Sequence, residues 1–190
     1  MSFPKMDVIE TQRLLLRPWK EEDLDPYFQL NQDPKVLEFL PGPLSHNQVA
    51  EFIKKMNAQL EKKRYTLWAT ELKETQEFIG FIGLNEVDFE AHFTPAVEIG
   101  WRLDSRYWGK GYSTEGANAA LEYGFNKLGL SEIVAFTVLE NKRSIRVMEK
   151  MGMIRDFEGD FRHPKLALEH RLSQHILYRT LSVSYLKLVY

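Results

Sequence analysis

The stretch "VEIGWRLDSRYWGKGYSTEG", residues 97–116, decides the fold of this chain. Its first seven residues carry the β-branched and aromatic content of a strand. Past Gly116, Ala117, Leu121, Phe125 and Leu128 recur at helical spacing, with Gly129 near the stop. Between strand and helix lie two glycines one residue apart, Gly109 and Gly111, flanked by Arg106, Tyr107, Trp108, Lys110 and Tyr112. That arrangement suits an anion. Free N–H groups at a helix start and the helix dipole favour negative charge. Glycines keep side chains out of its way and permit positive φ, so that successive amides can curl into a nest. Arg106 and Lys110 add positive charge, and Ser113 either caps the helix or donates to a phosphate oxygen. The loop is not G-x-x-x-x-G-K-[ST]. Nor is it G-x-G-x-x-G, because Thr114 stands where the third glycine is required. Taken alone, the R-x-x-G-x-G spacing of Arg106, Gly109 and Gly111 fits a phosphate loop and a plain glycine-rich turn equally.

Working outward, "TQRLLLRPW" (11–19) reads as a first strand and "EEDLDPYFQLNQ" (21–32) as a helix with an acidic start. The proline-rich "DPKVLEFLPGPL" (33–44) reads as a loop. Ser45 and Gln48 have the spacing of a capping box, with Leu44 and Val49 as its hydrophobic staple. Val49, Phe52, Ile53, Met56 and Leu60 then mark one apolar helix face. Strands over 65–72, 77–89 and 96–104, closely connected, predict an antiparallel meander. A strand over 132–140 and a helix over 141–152 follow, the helix capped by Asn141 and stopped by Gly152. Two strands near 153–161 and 172–182 finish the order β-α-α-β-β-β-α-β-α-β-β. The expectation is one α/β domain, 1–190, with a largely antiparallel sheet and one βαβ unit over 96–140.

Composition narrows the function. The 190 residues are 44% hydrophobic and 27% charged, ordinary for a globular protein. Net charge is −2, without the cationic excess of a nucleic-acid binder. There is no cysteine, so disulfides, thiolate metal sites and a cysteine nucleophile are excluded, and a cytoplasmic location is expected. The start resembles no signal peptide. The apolar stretch 176–190 is short of the ~20 residues of a membrane span and is interrupted by Arg179 and Lys187, so it reads as strand. His46, His92, His163, His170 and His175 form no ligand spacing, and no metal is expected. Trp68, Trp101, Phe81 and Phe125 read as core. Tyr27, Phe39, Tyr107 and Trp108 are candidates for the mouth of a site.

Three blocks, "IETQRLLLRPW", "VEIGWRLDSRYWGKGYSTEG" and "ENKRSIRVMEKMGM", occur in an order that resembles the GNAT family of acyl-CoA-dependent N-acyltransferases, and within it the Rim-type branch of ribosomal-protein N-terminal acetyltransferases. The resemblance implies a GNAT-like sheet with a splayed parallel strand pair, here 97–103 and 133–139, and flanking helices. It implies that the coenzyme A diphosphate sits on Trp108, Gly109, Lys110, Gly111, Tyr112 and Ser113, with Arg106 beside them. The pantetheine arm would lie between the splayed strands and bring the thioester to Ile99, Gly100 and Trp101, where an amide could serve as oxyanion donor. Asn141 matches the family's cofactor-contacting asparagine. Ser144 matches the Rim-type serine that protonates the departing thiolate, while the tyrosine other members use is replaced here by Met148, so the acid is Ser144 or water, and Ser144 reads equally as a first-turn residue satisfying a backbone donor.

The base is read from the residues themselves. A carboxylate inside "AVEIGW" is costly to bury without a partner, so Glu98 is either the base or an outward residue of an alternating strand. Glu158 is the weaker candidate. An α-amine is ~10% neutral at pH 7, whereas a lysine amine is ~0.04% neutral, so an α-amine needs less help. The implied activity is direct transfer from acetyl-CoA to an amine, either a protein N-terminus or a small molecule. Glu98, Ser144 and Asn141 form the catalytic set. Implied partners are acetyl-CoA and the amine, with a homodimer compatible and neither nucleic acid nor membrane expected. The rival reading is an acyl-CoA-binding sensor or scaffold without catalysis.

Overall fold

The structure, a computed structural model, describes residues 8–182. Its strands are β1 (Ile9–Glu10), β2 (Leu14–Arg17), β3 (Leu67–Leu72), β4 (Phe78–Glu86), β5 (Val97–Leu103), β6 (Glu132–Thr137), β7 (Ile154–Arg162) and β8 (Gln174–Leu181). They form one sheet in the order β1-β2-β3-β4-β5-β6-β8-β7. Every neighbouring pair is antiparallel except β5 and β6. The helices are α1 (Leu24–Leu30), α2 (Pro34–Leu37), α3 (His46–Lys63), α4 (Tyr112–Asn126) and α5 (Lys142–Lys150). Crossing from β5 to β6 through α4 makes that pair parallel, as a βαβ connection must.

The pair is barely joined. β5 is in register with β4 at seven residues, but with β6 only where Glu98 faces Val134. β6 keeps six paired positions with β8 on its far side, so its course is set there and it diverges from β5. Hence the expected splayed pair and the mixed, mostly antiparallel sheet are found.

Helices cover both faces. On one face the apolar side of α4 (Ala117, Ala120, Leu121, Phe125) packs with Met148 of α5 onto Leu14, Ile82, Ile99 and Ile133. A Cβ at Gly116 would lie 2.5 Å from Ile82 Cδ1, so glycine lets α4 lie close on the sheet. On the other face Trp19, Tyr27 and Phe81 pack with α3 through Val49 and Met56, their rings meeting those of Phe52 and Phe78. Ser45 and Gln48 form the expected capping box at the start of α3.

Beneath that face lies a buried ionic joint. Arg17 donates from Nη1 and Nη2 to Asp23 (2.7 and 2.8 Å) and from Nε to Glu71 (2.6 Å). All three residues are buried. Burial opposes the charge on Arg17, but the bonds to Asp23 and Glu71 win and raise its pKa. The joint ties β2 and β3 to the 3-10 turn Glu21–Asp23 that opens α1.

The structure corrects three expectations. The first strand, placed over 11–19, is instead two short strands around a turn in which Thr11 bonds to Leu14. The loop 33–44 contains α2, because Asp33 caps it by accepting from the Lys35 amide and Pro34 occupies the first turn. The placement of the last two strands, left open by the sequence, is decided here: β8 joins β6 and β7 forms the sheet edge. The strand read to the C-terminus ends at Leu181, and residues 183–190 lie outside the described residues. Among the described residues no helix is long and apolar enough to cross a membrane.

Replacing Arg17 by Met leaves Asp23 buried without a counter-charge and Glu71 with only the half-exposed Lys20, 3.7 Å away. We expect a loss of about 3–5 kcal/mol in unfolding free energy, measured by urea denaturation at pH 7. A change below about 1 kcal/mol would show the joint to be dispensable.

Candidate active site

A cavity of about 390 Å³ opens between the head of α4, the start of α5, the end of β5 and α2. Its floor is the glycine loop. Gly109 and Gly111 adopt φ of +77° and +84°, and Gly111 is the residue at which α4 begins. No side chain caps that helix. Ser113 therefore does not take the capping role open to it, and lies within the first turn facing the cavity. The Trp108 amide is taken by Ser105 O at 3.3 Å, but the amides from Gly109 to Thr114 meet no protein acceptor among the described residues. Six successive donors are thus presented to one place, with no carboxylate among the described residues lining the cavity.

The charges are not where the motif suggested. Arg106 was expected beside the phosphates. Its guanidinium instead binds Asp104, from Nε at 3.1 Å and Nη2 at 2.8 Å, and it does not line the cavity. That carboxylate, three atoms from the backbone and two residues back, outcompetes a distant site. Lys110 also turns away, with Nζ 5.2 Å from the Tyr107 ring centre. The cations that do line the cavity are Arg143, Arg146 and Lys150 of α5, together with Lys35 and Arg102. The α5 trio was readable as an i, i+3, i+7 face, and sequence reasoning missed it. Arg143 stacks 4.6 Å from the Trp108 ring and pairs with Glu38.

Arg13, also unanticipated, braces the loop from outside. Its Nε binds Glu115 at 2.6 Å, its Nη1 donates to Lys110 O at 3.0 Å, and its guanidinium lies 4.5 Å from the Tyr112 ring. Burial works against the charge on Glu115, but the Thr11 hydroxyl, the Arg13 amide and the Arg13 guanidinium hold its carboxyl below the ordinary range.

The splay supplies a second polar surface. Asp104 N–H donates to Ile79 O and Val87 N–H to Ala96 O, so the even-numbered residues of β5 exchange bonds with β4. The odd-numbered residues turn their amides and carbonyls toward β6. The bridge at Glu98 and Val134 accounts for those flanking Glu98. Beyond it the Trp101 groups face an unzipped edge, while Trp108 Nε1 donates to Leu103 O at 2.8 Å. Of the three residues expected at the thioester, Trp101 alone lines the cavity. Ile99 is buried in the core, and the amide of Gly100 faces β4. Trp101, read as core, is only half-buried.

On α5, Asn141 is committed to the protein. Its Oδ1 accepts from the Ser144 amide (3.2 Å) and its Nδ2 donates to Thr137 Oγ1 (3.0 Å), which fixes the helix start. Ser144 lines the cavity, and its hydroxyl meets no partner among the described residues. Glu98 sits at the apex of the splay, outside the cavity lining. Burial pushes its carboxyl up to about 7. Asn85 Nδ2, donating at 3.0 Å, opposes the rise, as do Lys165 and Lys55, while Asp88 adds to it. Glu158 is exposed on the edge strand β7, far from this constellation. His175 packs against Phe136, Phe161 and His163, where burial and His163 push it down to about 4. Phe39, Tyr107 and Trp108 line the cavity, whereas Tyr27 is core. Among the described residues no cluster of side chains could hold a metal ion.

An amide nest beside a forced-open parallel strand pair defines a class of acyl-group transferases. A family model described as an acetyltransferase (GNAT) domain matches residues 13–154. Uncharacterized N-acetyltransferase p20 of Bacillus licheniformis is 32% identical over 160 residues, which is 80% of this chain and 88% of that protein. A GNAT-family acetyltransferase from Bacillus anthracis has a solved structure that superposes with a TM-score of 0.77 at 29% identity, covering 93% of this chain and 99% of that one. Spermidine N-acetyltransferase from Vibrio cholerae, solved with CoA and spermine, shares the fold at a TM-score of 0.71 and 21% identity, covering 91% and 98% of the two chains. The chain belongs to the GNAT family of acetyltransferases, and it is an acyltransferase enzyme.

The raised carboxyl has a consequence for stability. Folded Glu98 holds its proton up to about pH 7, whereas an ordinary glutamate releases it near 4.5. The folded state therefore binds more protons in that window, and stability falls as pH rises through it. Glu98→Gln removes this penalty while keeping an acceptor for Asn85. At pH 8 the variant should exceed the wild type by about 1–3 kcal/mol, and at pH 4 the two should coincide. Denaturation midpoints at both pH values test this. An equal gap at both would refute it.

Proposed function

We propose that this chain moves the acetyl group of acetyl-CoA directly to the nitrogen of an amine, with both substrates bound together. The observation that carries the reading is the run of unengaged amides from Gly109 to Thr114, opening beside the unpaired edge of β5. The diphosphate fits those amides, and the cations of α5 fit the remaining phosphate charge. The amide-rich pantetheine arm fits the carbonyl that Trp101 turns toward β6, since a strand edge needs partners. The Trp101 N–H is then the oxyanion donor, a contribution of about 3 kcal/mol.

The amine approaches from the opposite face of β5, which carries Glu98. A carboxylate titrating near 7 is well matched to take the amine proton, through water, at neutral pH. The neutral nitrogen bonds to the thioester carbon, the C–S bond breaks, and the proton that the nitrogen sheds on becoming an amide passes to water. Ser144 Oγ gives its proton to the leaving sulfur and regains one from solvent. Asn141 acts by holding Ser144 in place. No covalent enzyme intermediate is required, and proximity supplies much of the acceleration. The three shared sequence blocks support the Rim-type branch and an α-amine. The spermine bound to the Vibrio cholerae relative supports small amines as the other class.

Three variants test the assignments, with acetyl-CoA binding followed by calorimetry and turnover by release of free thiol. Gly111→Val forces a β-branched residue to φ +84°, so acetyl-CoA should bind at least about tenfold more weakly. Unaltered affinity would remove the loop from the site. Ser144→Ala should lower kcat about 10²-fold with little change in acetyl-CoA affinity, and wild-type turnover would strip Ser144 of its acid role. For Glu98→Gln, the rate deficit should shrink as pH approaches the pKa of the amine. A constant deficit would make Glu98 a positioning group instead.

A further inference from the structure

The cavity is charged in one sense. Among the described residues, five cationic side chains line it and no carboxylate does. Arg143, Arg146 and Lys150 belong to α5, on the face of β5 that α4 covers and where the coenzyme phosphates fit. Arg102 does not. Strand alternation puts Arg102 on the opposite face, with Glu98 and Gly100, and it lies directly across from Phe81 with its guanidinium 5.5 Å from that ring.

Its mount is rigid and its pairing incomplete. Arg102 Nη1 donates to Asn31 Oδ1 at 2.6 Å and lies 3.4 Å from the Tyr27 hydroxyl. Asn31 and Tyr27 are fully buried, and Asn31 Nδ2 donates to Tyr27 O at 2.7 Å, which fixes the direction of its oxygen. Arg13, Arg17, Arg106, Arg143, Arg155 and Arg179 each pair with a carboxylate. Arg102 has none within ion-pair distance among the described residues, and its Nε and Nη2 donors bond to nothing there. Nε and Nη2 are the two donors of a guanidinium that together match a planar carboxylate.

Gly100 lies between Glu98 and Arg102 on that face and leaves it open. A Cβ there would meet only Leu67 Cδ2, at 3.6 Å. Residues two apart on a strand are ~7 Å apart. An amine held at Gly100, beside the thioester and within reach of Glu98, therefore has Arg102 one side-chain step away. A diamine in the same place, its reacting nitrogen toward Glu98, would set its second cation against a guanidinium that has no carboxylate partner among the described residues.

We infer that the acceptor is a small amine bearing a carboxylate, of the amino-acid class, and that Arg102 is the residue that selects it. The inference rests on the acetyl-transfer reading above and narrows its acceptor.

The test is thiol release from acetyl-CoA with matched sets: α- and short ω-amino acids, their carboxamides, the corresponding decarboxylated amines, spermidine, and a C-terminally amidated peptide. Wild-type kcat/KM should favour the best acid over its amide and its decarboxylated amine by at least about tenfold, chiefly through KM. Arg102→Gln and Arg102→Lys, the second keeping the charge without the fork, should bring that ratio close to one. Acetyl-CoA affinity, read by calorimetry, should stay within about threefold. Should Arg102→Gln fail to fold, the wild-type ratio and the lysine variant decide. Amides, spermidine or the amidated peptide used as well as acids, or a ratio that survives in a folded variant, would overturn the inference while leaving acetyl transfer intact. No thiol release with any amine would remove acetyl transfer and this inference together.

Discussion

Strand β5 is paired with β4 along its length and with β6 at one position, and the cavity and the proposed chemistry both depend on that imbalance. A buried strand normally satisfies both edges. Here β6 is claimed by β8, so the polar groups of β5 beyond Glu98 are left without a neighbouring strand. Unpaired backbone groups in a folded interior are costly. Trp108 relieves part of the cost through the bond to Leu103 O, and the open cavity exposes the rest to whatever binds there. The same divergence creates the space, the donors and a passage between the two faces of the sheet.

Charge is distributed around this opening in a consistent way. The loop donates amides, α5 adds cations on one face, and Arg102 presents a guanidinium on the other. Glu98 stands at the apex with its proton affinity raised by burial, within a cluster that also contains Asn85, Asp88, Lys55 and Lys165. Rigidity comes from elsewhere. The Arg17 joint fixes the base of α1, α1 fixes Asn31 and Tyr27, and those two orient Arg102. Arg13 and Glu115 hold the glycine loop to the turn between β1 and β2. Two ion-paired arginines outside the cavity thus support what lines it.

Much of the fold was legible because its signals are local. The capping box of Ser45 and Gln48, the apolar stripe of α4 and the Asn141 cap each depend on residues within one or two turns. The glycines at 109 and 111 adopt the positive φ that their spacing suggested. Failures came where a local signal had a competitor. Arg106 looked like a phosphate ligand until Asp104, equally local, claimed it. Of the two roles open to Ser113, the cap is removed because Gly111 is the N-cap and the first amides of the helix stay open, which leaves its hydroxyl to the cavity. The prolines of 33–44 hid α2, although Asp33 before Pro34 is itself a helix start.

By itself the sequence determined the order of elements from α3 to β8, the glycine loop and the presence of a carboxylate inside β5, since periodicity, backbone preference and hydrophobic spacing act over a few residues. Tertiary structure alone decided that β8 would take the outer edge of β6, which charges face the opening, and that Arg102 would lack a carboxylate. These depend on contacts between residues tens of positions apart. Arg102 meets Asn31, and Arg13 meets Glu115, only because the sheet brings distant strands together. Whether a charged side chain finds a partner is settled by all its neighbours at once, and no window of sequence contains them.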